Sequence, residues 1–238
     1  MIEWFKKFKH HWKVLLGDRA FLISLFVGFT LLMFAYAANL FASTYNDARV
    51  YVSVGDLLLD NIDTYNMTFS FTWIMYFIIV MIFVYPIFFE PQLVPFAFKT
   101  FAMLMFLRSG CILLTNIGPP EGFYYNNAPV GGDVLADMMF RNDLFFSGHT
   151  TYPFLAFLLY KNCSWRWFYL AGSILEGVTV LLMHIHYSID VVAAFFFAFG
   201  IYSLSDRIFN KLNIRFRDRI KLYGWEALQK LKKLRNNS

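Results

Sequence analysis

Long apolar runs alternate with short polar clusters along this 238-residue chain. Residues 20–46 contain no charged side chain, and roughly 20 apolar residues, rising 1.5 Å each, cross about 30 Å of hydrocarbon. The pattern therefore predicts a first membrane span there. It predicts five more over residues 67–89, 94–117, 144–160, 167–183 and 187–204. The fold class expected is all-α: a polytopic membrane protein built as a six-transmembrane-helix bundle with amphipathic cytoplasmic terminal helices.

Composition agrees with that reading. The chain is 58% hydrophobic and 21% aromatic, with 30 phenylalanines, more than a soluble core of this size buries. The small residues of AYAAN after the first apolar run suggest a secretory signal. The run is too long for a signal core, however, and a basic segment precedes it, so a retained span is expected.

Charge orients the bundle. Eighteen of the 21 Lys and Arg residues lie before the first span (Lys6, Lys7, Lys9, Lys13, Arg19), at the second connection (Lys99), in the fourth (Lys161, Arg166) or after Ser205. Only Arg49, Arg108 and Arg141 fall elsewhere, whereas the opposite connections carry Asp47, Asp56, Asp60, Asp63, Glu121, Asp133, Asp137 and Asp143. Basic residues are retained on the cytoplasmic side. Both termini are expected there, with the other face extracytoplasmic.

One membrane domain is expected over residues 20–205, between a basic amphipathic segment at 1–19 and a basic amphipathic tail at 206–238. Phe5, Phe8, Trp12 and Leu15 recur at helical spacing among lysines, as in a helix lying in the interface. Leu212, Phe216 and Ile220, then Leu228, Leu231 and Leu234, repeat the pattern. Attraction to anionic lipid explains these faces, and no nucleic-acid partner is inferred. Cys111 and Cys163 fall on opposite sides of the bilayer, too far apart for a disulfide. The polar connections at residues 43–66 and 118–143 are long for helix-to-helix turns and suit the cover of a site.

The candidate chemistry gathers at the ends of the runs. In HIHYSID, residues 184–190, a helix beginning near Tyr187 places His186 and Asp190 on one face, one turn apart. A carboxylate accepting from one imidazole nitrogen leaves the other nitrogen's lone pair free for an electrophile. In FFSGHT, residues 145–150, Ser147 occupies a helix-cap position and Gly148 permits close approach of an anion to the helix N-terminus. His149 then stands where a general acid is needed. Arg108, within the third run, costs about 3 kcal/mol in hydrocarbon on insertion scales unless it faces the interior and meets an anion, phosphate being the natural one.

Metal binding is a rival chemistry for the same residues. His149, His184, His186 and Asp190 offer metal ligands, yet positions 184 and 186 point about 200° apart on a helix. No metal and no cofactor are expected. Glu176 interrupts the fifth run, either as part of a polar or lipid-binding path or as a neutral carboxyl hydrogen-bonded to a neighbouring helix.

FFSGHT followed by HIHYSIDVVAAFF resembles the third and fourth motifs of the sphingomyelin synthase family, a branch of the type-2 phosphatidic acid phosphatase superfamily of six-span membrane enzymes. RSGCILLTNIGPP, with Arg108, Thr115, Pro119 and Pro120, is similar to that family's second motif. Asp143 stands where an Asp precedes the family's FSGHT, and GDLLLD, with Asp56, is faintly similar to the first motif. The resemblance spans roughly residues 50–205. It implies His186 as nucleophile on phosphorus, Asp190 as its orienting partner, His149 as acid and then base, and a phosphohistidine intermediate. Arg108, Ser147, Gly148, Asp143 and His184 form the implied phosphate-binding set.

The implied partners are a membrane phospholipid donor and, as acceptor, a lipid hydroxyl (ceramide or diacylglycerol) or water. A homo-oligomer is compatible with the sequence. The chain departs from the superfamily in lacking the Lys of its KxxxxxxRP motif and in carrying Thr179-Val180 where an SR pair stands. Ile185 replaces the acidic residue that animal synthases place between the two histidines. A lipid-phosphate phosphatase using water, a non-catalytic lipid-binding relative and a transporter are the alternative functions.

Overall fold

The computed structural model describes residues 2–124, 140, 142–161, 163 and 165–236. Asp133, Asp137, Arg141 and most of the 118–143 connection lie outside the described residues. Among the described residues the chain is helical, with no strand. In order these are α1 (Ile2–Leu16), α2 (Arg19–Asp47), a π-helical turn (Ser70–Ile74) running into α3 (Met75–Phe89), a 3-10 turn (Pro91–Leu93), α4 (Val94–Leu114), α5 (Gly148–Leu159), α6 (Arg166–Leu182), α7 (Ser188–Leu222) and α8 (Trp225–Asn236).

Among the described residues, four segments are long and apolar enough to cross a membrane: Arg19–Asp47, Ser70–Phe89, Pro91–Leu114 and Ser188–Phe209. They carry outward phenylalanines, Phe26, Phe34, Phe41, Phe196 and Phe199 all being more than half exposed, as expected where the solvent is hydrocarbon rather than water. The fourth and fifth sequence runs form shorter helices of 12 and 17 residues. At 1.5 Å per residue α5 reaches only about 18 Å. The tail boundary at residue 206 is not a break, since α7 continues to Leu222.

Small residues let α2 and α4 approach closely. Ser24, Gly28, Ala35 and Ala42 lie on the buried face of α2, and a Cβ on Gly28 would sit 3.1 Å from the Pro95 carbonyl oxygen and 3.2 Å from Phe98 Cβ. Such stripes replace the hydrophobic drive that lipid removes. Lys99, expected at a connection, is instead buried inside α4, its Nζ donating to Ser24 Oγ at 2.7 Å.

Prolines open carbonyls that other helices then use. Pro86 inside α3 has no N–H for the Ile82 carbonyl, and that oxygen accepts from the Tyr160 hydroxyl at 2.6 Å. Tyr169 donates to the neighbouring Met81 carbonyl at 2.9 Å. These bonds clip α3 to α5 and α6 around a core of Ile78, Ile82, Leu104, Phe146, Leu155 and Ala194.

The bundle has two distinct ends. At one, Asp18 caps α2 and pairs with Arg215 (3.3 Å) and Arg219 (2.8 Å) of α7, which joins the two basic terminal segments. At the other, Asn142 Nδ2 donates to the carbonyls of Asn46 and Arg49, Tyr65 N to Leu182 O, and Tyr124 N to Met183 O. Both histidine motifs belong to this second end.

Candidate active site

The turn into α7 forms one half of the site. Tyr187 is the N-cap residue in extended backbone, and Asp190 occupies the third helical position. From there its Oδ2 reaches back to accept from Tyr187 N at 3.2 Å and from His186 Nδ1 at 3.2 Å. His186 precedes the helix, so the pair arises from capping rather than from the shared helical face expected. The chemical result is the same. A carboxylate accepts only, so Nδ1 carries the proton and Nε2 keeps its lone pair. Both side chains are buried.

His184 has a positive φ of 50°, which breaks helical geometry between the two histidines. Its Nδ1 donates to the Glu121 carbonyl at 2.7 Å, and its buried Nε2 has no partner. Gly122, at φ +76°, allows this contact, because a Cβ there would lie 3.0 Å from His184 Nδ1. No cluster of three or more metal-type ligands occurs among the described residues.

The start of α5 forms the other half. Ser147 N donates to the Asp190 carbonyl at 3.1 Å, which fastens the two turns together. Ser147 Oγ accepts from Thr150 N at 3.4 Å as the N-cap. A Cβ on Gly148 would stand 3.5 Å from Arg108 Nε and 3.6 Å from Cζ, so the guanidinium lies over the SGH turn. His149 stacks on Phe71 at 4.1 Å between ring centroids, and its Nε2 lies 3.3 Å from the Phe71 carbonyl. A carbonyl only accepts, so Nε2 carries hydrogen and Nδ1 is the open nitrogen. Phe71 sits in the π turn, a distortion frequent at functional sites.

Arg108 meets a protein anion. Its Nη1 lies 2.9 and 3.1 Å from the two Asp143 carboxylate oxygens and 3.3 Å from Asn39 Oδ1. Asp143, expected from the sequence in the phosphate-binding set, pairs with Arg108. The guanidinium Nε is buried beside Gly148 with no partner among the described residues. His186 and Arg108 are ionisable neighbours within electrostatic reach of His149, and Asp190 is within reach of Arg108. The groups therefore converge at one end of the bundle.

An outer brace holds the α7 turn. Asp56 Oδ2 accepts from Ser188 N at 2.7 Å while Oδ1 accepts from Leu58 N and Leu59 N. Burial opposes its charge, but these backbone N–H groups outweigh burial and hold the Asp56 carboxyl below its ordinary pKa. Tyr187 OH donates to the Gly118 carbonyl at 2.8 Å and accepts from Val54 N at 3.1 Å. Sequence reasoning missed Phe71, Asn39 and Tyr187. Asn39 carried a signal, as a polar residue within an apolar span generally faces the interior.

Glu176 is fully buried in α6, and neither carboxyl oxygen has a hydrogen-bond partner among the described residues. The interhelical bond expected of a structural carboxyl is not found among them.

Residues 142–207 match the family model described as PAP2 superfamily C-terminal. That stretch contains Asp143, Ser147, Gly148, His149, His184, His186 and Asp190, but not Arg108. Comparison with curated proteins and with solved structures gave no match. Over the segment that holds both histidine turns, the match supports a relationship to the PAP2 superfamily, whose members are phosphatases and phosphotransferases.

Proposed function

We propose that this chain is an integral membrane phosphotransferase of the sphingomyelin synthase type, moving the phosphate-containing head group of a phospholipid to a lipid hydroxyl. Its termini are cytoplasmic, its site opens on the extracytoplasmic face, and α5 and α6 complete a six-segment bundle. The observation that carries this reading is the junction of the two turns. Ser147 N bonds the carbonyl of Asp190 while the Asp190 carboxylate holds His186.

The chemistry follows from the free nitrogens. The Nε2 lone pair of His186 attacks phosphorus, and the bond from phosphorus to the lipid oxygen breaks on the far side. The departing oxygen takes the Nδ1 proton of His149, which enters this step as the imidazolium and leaves it neutral, and Asp190 stabilises the positive charge on the His186 ring. Arg108 Nε and the start of α5 hold the phosphate oxygens. In the second half, the acceptor hydroxyl gives its proton to Nδ1 of His149. Its oxygen attacks phosphorus, and the N–P bond breaks to restore His186. Water in place of the lipid hydroxyl makes the same site a phosphatase.

Incubating the purified protein with mixed phospholipids, diacylglycerol and ceramide, followed by lipid mass spectrometry, tests the reading. A new head-group-bearing lipid is expected. Release of the phosphorylated head group, or of phosphate from a phosphatidate, with no new head-group-bearing lipid indicates the hydrolase, and unchanged lipids refute the enzyme.

A further inference from the structure

The proposed transfer through His186, with His149 as acid and then base, makes no use of the buried Glu176. It is 0% exposed, both carboxyl oxygens lack hydrogen-bond partners, and no ion pair with it occurs among the described residues. Leaving such a group unmet inside a bundle is costly. A ligand that bonds the carboxyl offsets that cost.

Its neighbours along α6 place it behind His149. Ser173, one turn earlier, donates from Oγ to the Thr150 carbonyl at 2.7 Å. At Gly177, the next residue, a Cβ would lie 3.3 Å from Thr150 Oγ1 and 3.2 Å from Val191 Cγ1. Thr179 bonds Ser70 at 2.9 Å, in the π turn whose Phe71 stacks on His149. Thr150 follows His149 in the chain, and its Oγ1 is likewise buried with no partner among the described residues. Two unmet polar groups thus share the wall beside the general acid and the α7 turn.

The chemistry of these groups selects the ligand. A carboxyl repels phosphate, which assigns the donor's charged group to Arg108 and the α5 turn instead. A head-group ammonium is strongly hydrated and ill suited to a pocket with no exposure. A neutral alcohol matches, since its hydroxyl donates to the carboxyl and accepts from Thr150 Oγ1. Leu175 and Val178, on the opposite side of the same helix, are 40% and 48% exposed, so α6 itself borders the bilayer from which an acceptor lipid would come.

We propose that Glu176, with Thr150, binds the hydroxyl of the acceptor lipid and sets it beside His149. The inference rests on the transferase reading. The hydroxyl's single hydrogen, held by the Glu176 carboxyl in the resting complex, turns to Nδ1 of His149 as the oxygen attacks, and Glu176 keeps its own protonation throughout.

The test uses the full-length protein in nanodiscs, with a phosphatidylcholine donor and diacylglycerol or ceramide as acceptor, comparing wild type, Glu176→Gln and Glu176→Leu. For Glu176→Leu, the acceptor KM is expected to rise about tenfold or more, as for loss of a buried hydrogen bond. The donor KM moves far less and products shift from transfer towards hydrolysis. Its Tm is expected to equal or exceed that of wild type, because an unmet carboxyl is removed, whereas a structural carboxyl would lower Tm on removal. Glu176→Gln, which keeps the shape and one acceptor oxygen, recovers most of the acceptor affinity. An unchanged acceptor KM in an active Glu176→Leu protein overturns this inference alone, as does a fall in Tm. A donor KM that changes with the head-group amine instead of the acceptor KM also overturns it. A wild type that turns over no phospholipid overturns the enzyme reading and this one together.

Discussion

The backbone N–H of Ser147 donates to the carbonyl oxygen of Asp190 at 3.1 Å. That bond joins the cap of α5, which carries His149, to the first turn of α7, which orients His186. Two helix starts distant in sequence are thereby fixed as one unit, and the proposed phosphate transfer requires that unit to stay closed.

Replacing Asp190 with Asn separates capping from activation. The Asn oxygen at the Oδ2 position still accepts from Tyr187 N and His186 Nδ1, so the cap and the ring tautomer are kept, but the negative charge that stabilises the His186 ring as Nε2 bonds to phosphorus is lost. Turnover is expected to fall by about 10²–10³-fold, as for loss of one preorganised electrostatic contact, with Tm little changed. A kcat within tenfold of wild type contradicts this role.

Gly148 faces Arg108 across a gap that a methyl group fits without overlap, its Cβ lying 3.5 Å from Nε. Gly148→Ala is therefore expected to fold and insert normally while filling the space a phosphate oxygen would occupy. Phospholipid KM rises and kcat falls with no loss of Tm. Full activity in this variant removes the SGH turn from the phosphate site.

Arg108 and Asp143 form a buried pair, with side chains 5% and 21% exposed. Asp143→Ala strands the guanidinium and is expected to cost about 3–5 kcal/mol. Arg108→Leu/Asp143→Ala is expected to recover part of that loss in stability but none of the activity. Denaturation of the two single variants and the double variant, treated as a double-mutant cycle, measures the coupling. Simple additivity contradicts the pairing.

Asp56 gives the fold a defined pH response. Its folded pKa lies below the unfolded value, so its contribution is fully present above about pH 4, the ordinary range for Asp, and is lost as pH falls through the folded pKa. Asp56→Asn weakens the brace on Ser188, an effect of about 1 kcal/mol for a helix cap. The Tm gap between wild type and variant is expected to be full at neutral pH and to close under acid conditions. A gap that widens in acid contradicts the assignment.

The bundle was legible because an uncharged apolar run of membrane length seldom folds as anything but a spanning helix, and α2, α3 and α4 follow the expected spans closely. The short fourth and fifth helices were not. Hydropathy counts the non-helical residues 144–147 with α5, though they form the cap and turn of the site. Spacing brought His186 and Asp190 together correctly, yet a capping geometry realises the pair, since Asp at the third helical position bonds backwards as readily as along a face. Arg108 advertised an anion, but sequence alone does not separate phosphate from the Asp143 carboxylate, which lies 35 positions away. The π turn at Phe71 leaves no periodic trace, so the residue that sets the tautomer of His149 was invisible.

Turnover of a head-group-labelled phospholipid by His186→Ala, beside wild type in identical nanodiscs, tests the nucleophile most directly. The account predicts measurable turnover by wild type and a loss of at least about a thousandfold in the variant, with Tm preserved and no phosphorus label retained on the protein. Turnover by His186→Ala at a rate near that of wild type would contradict it.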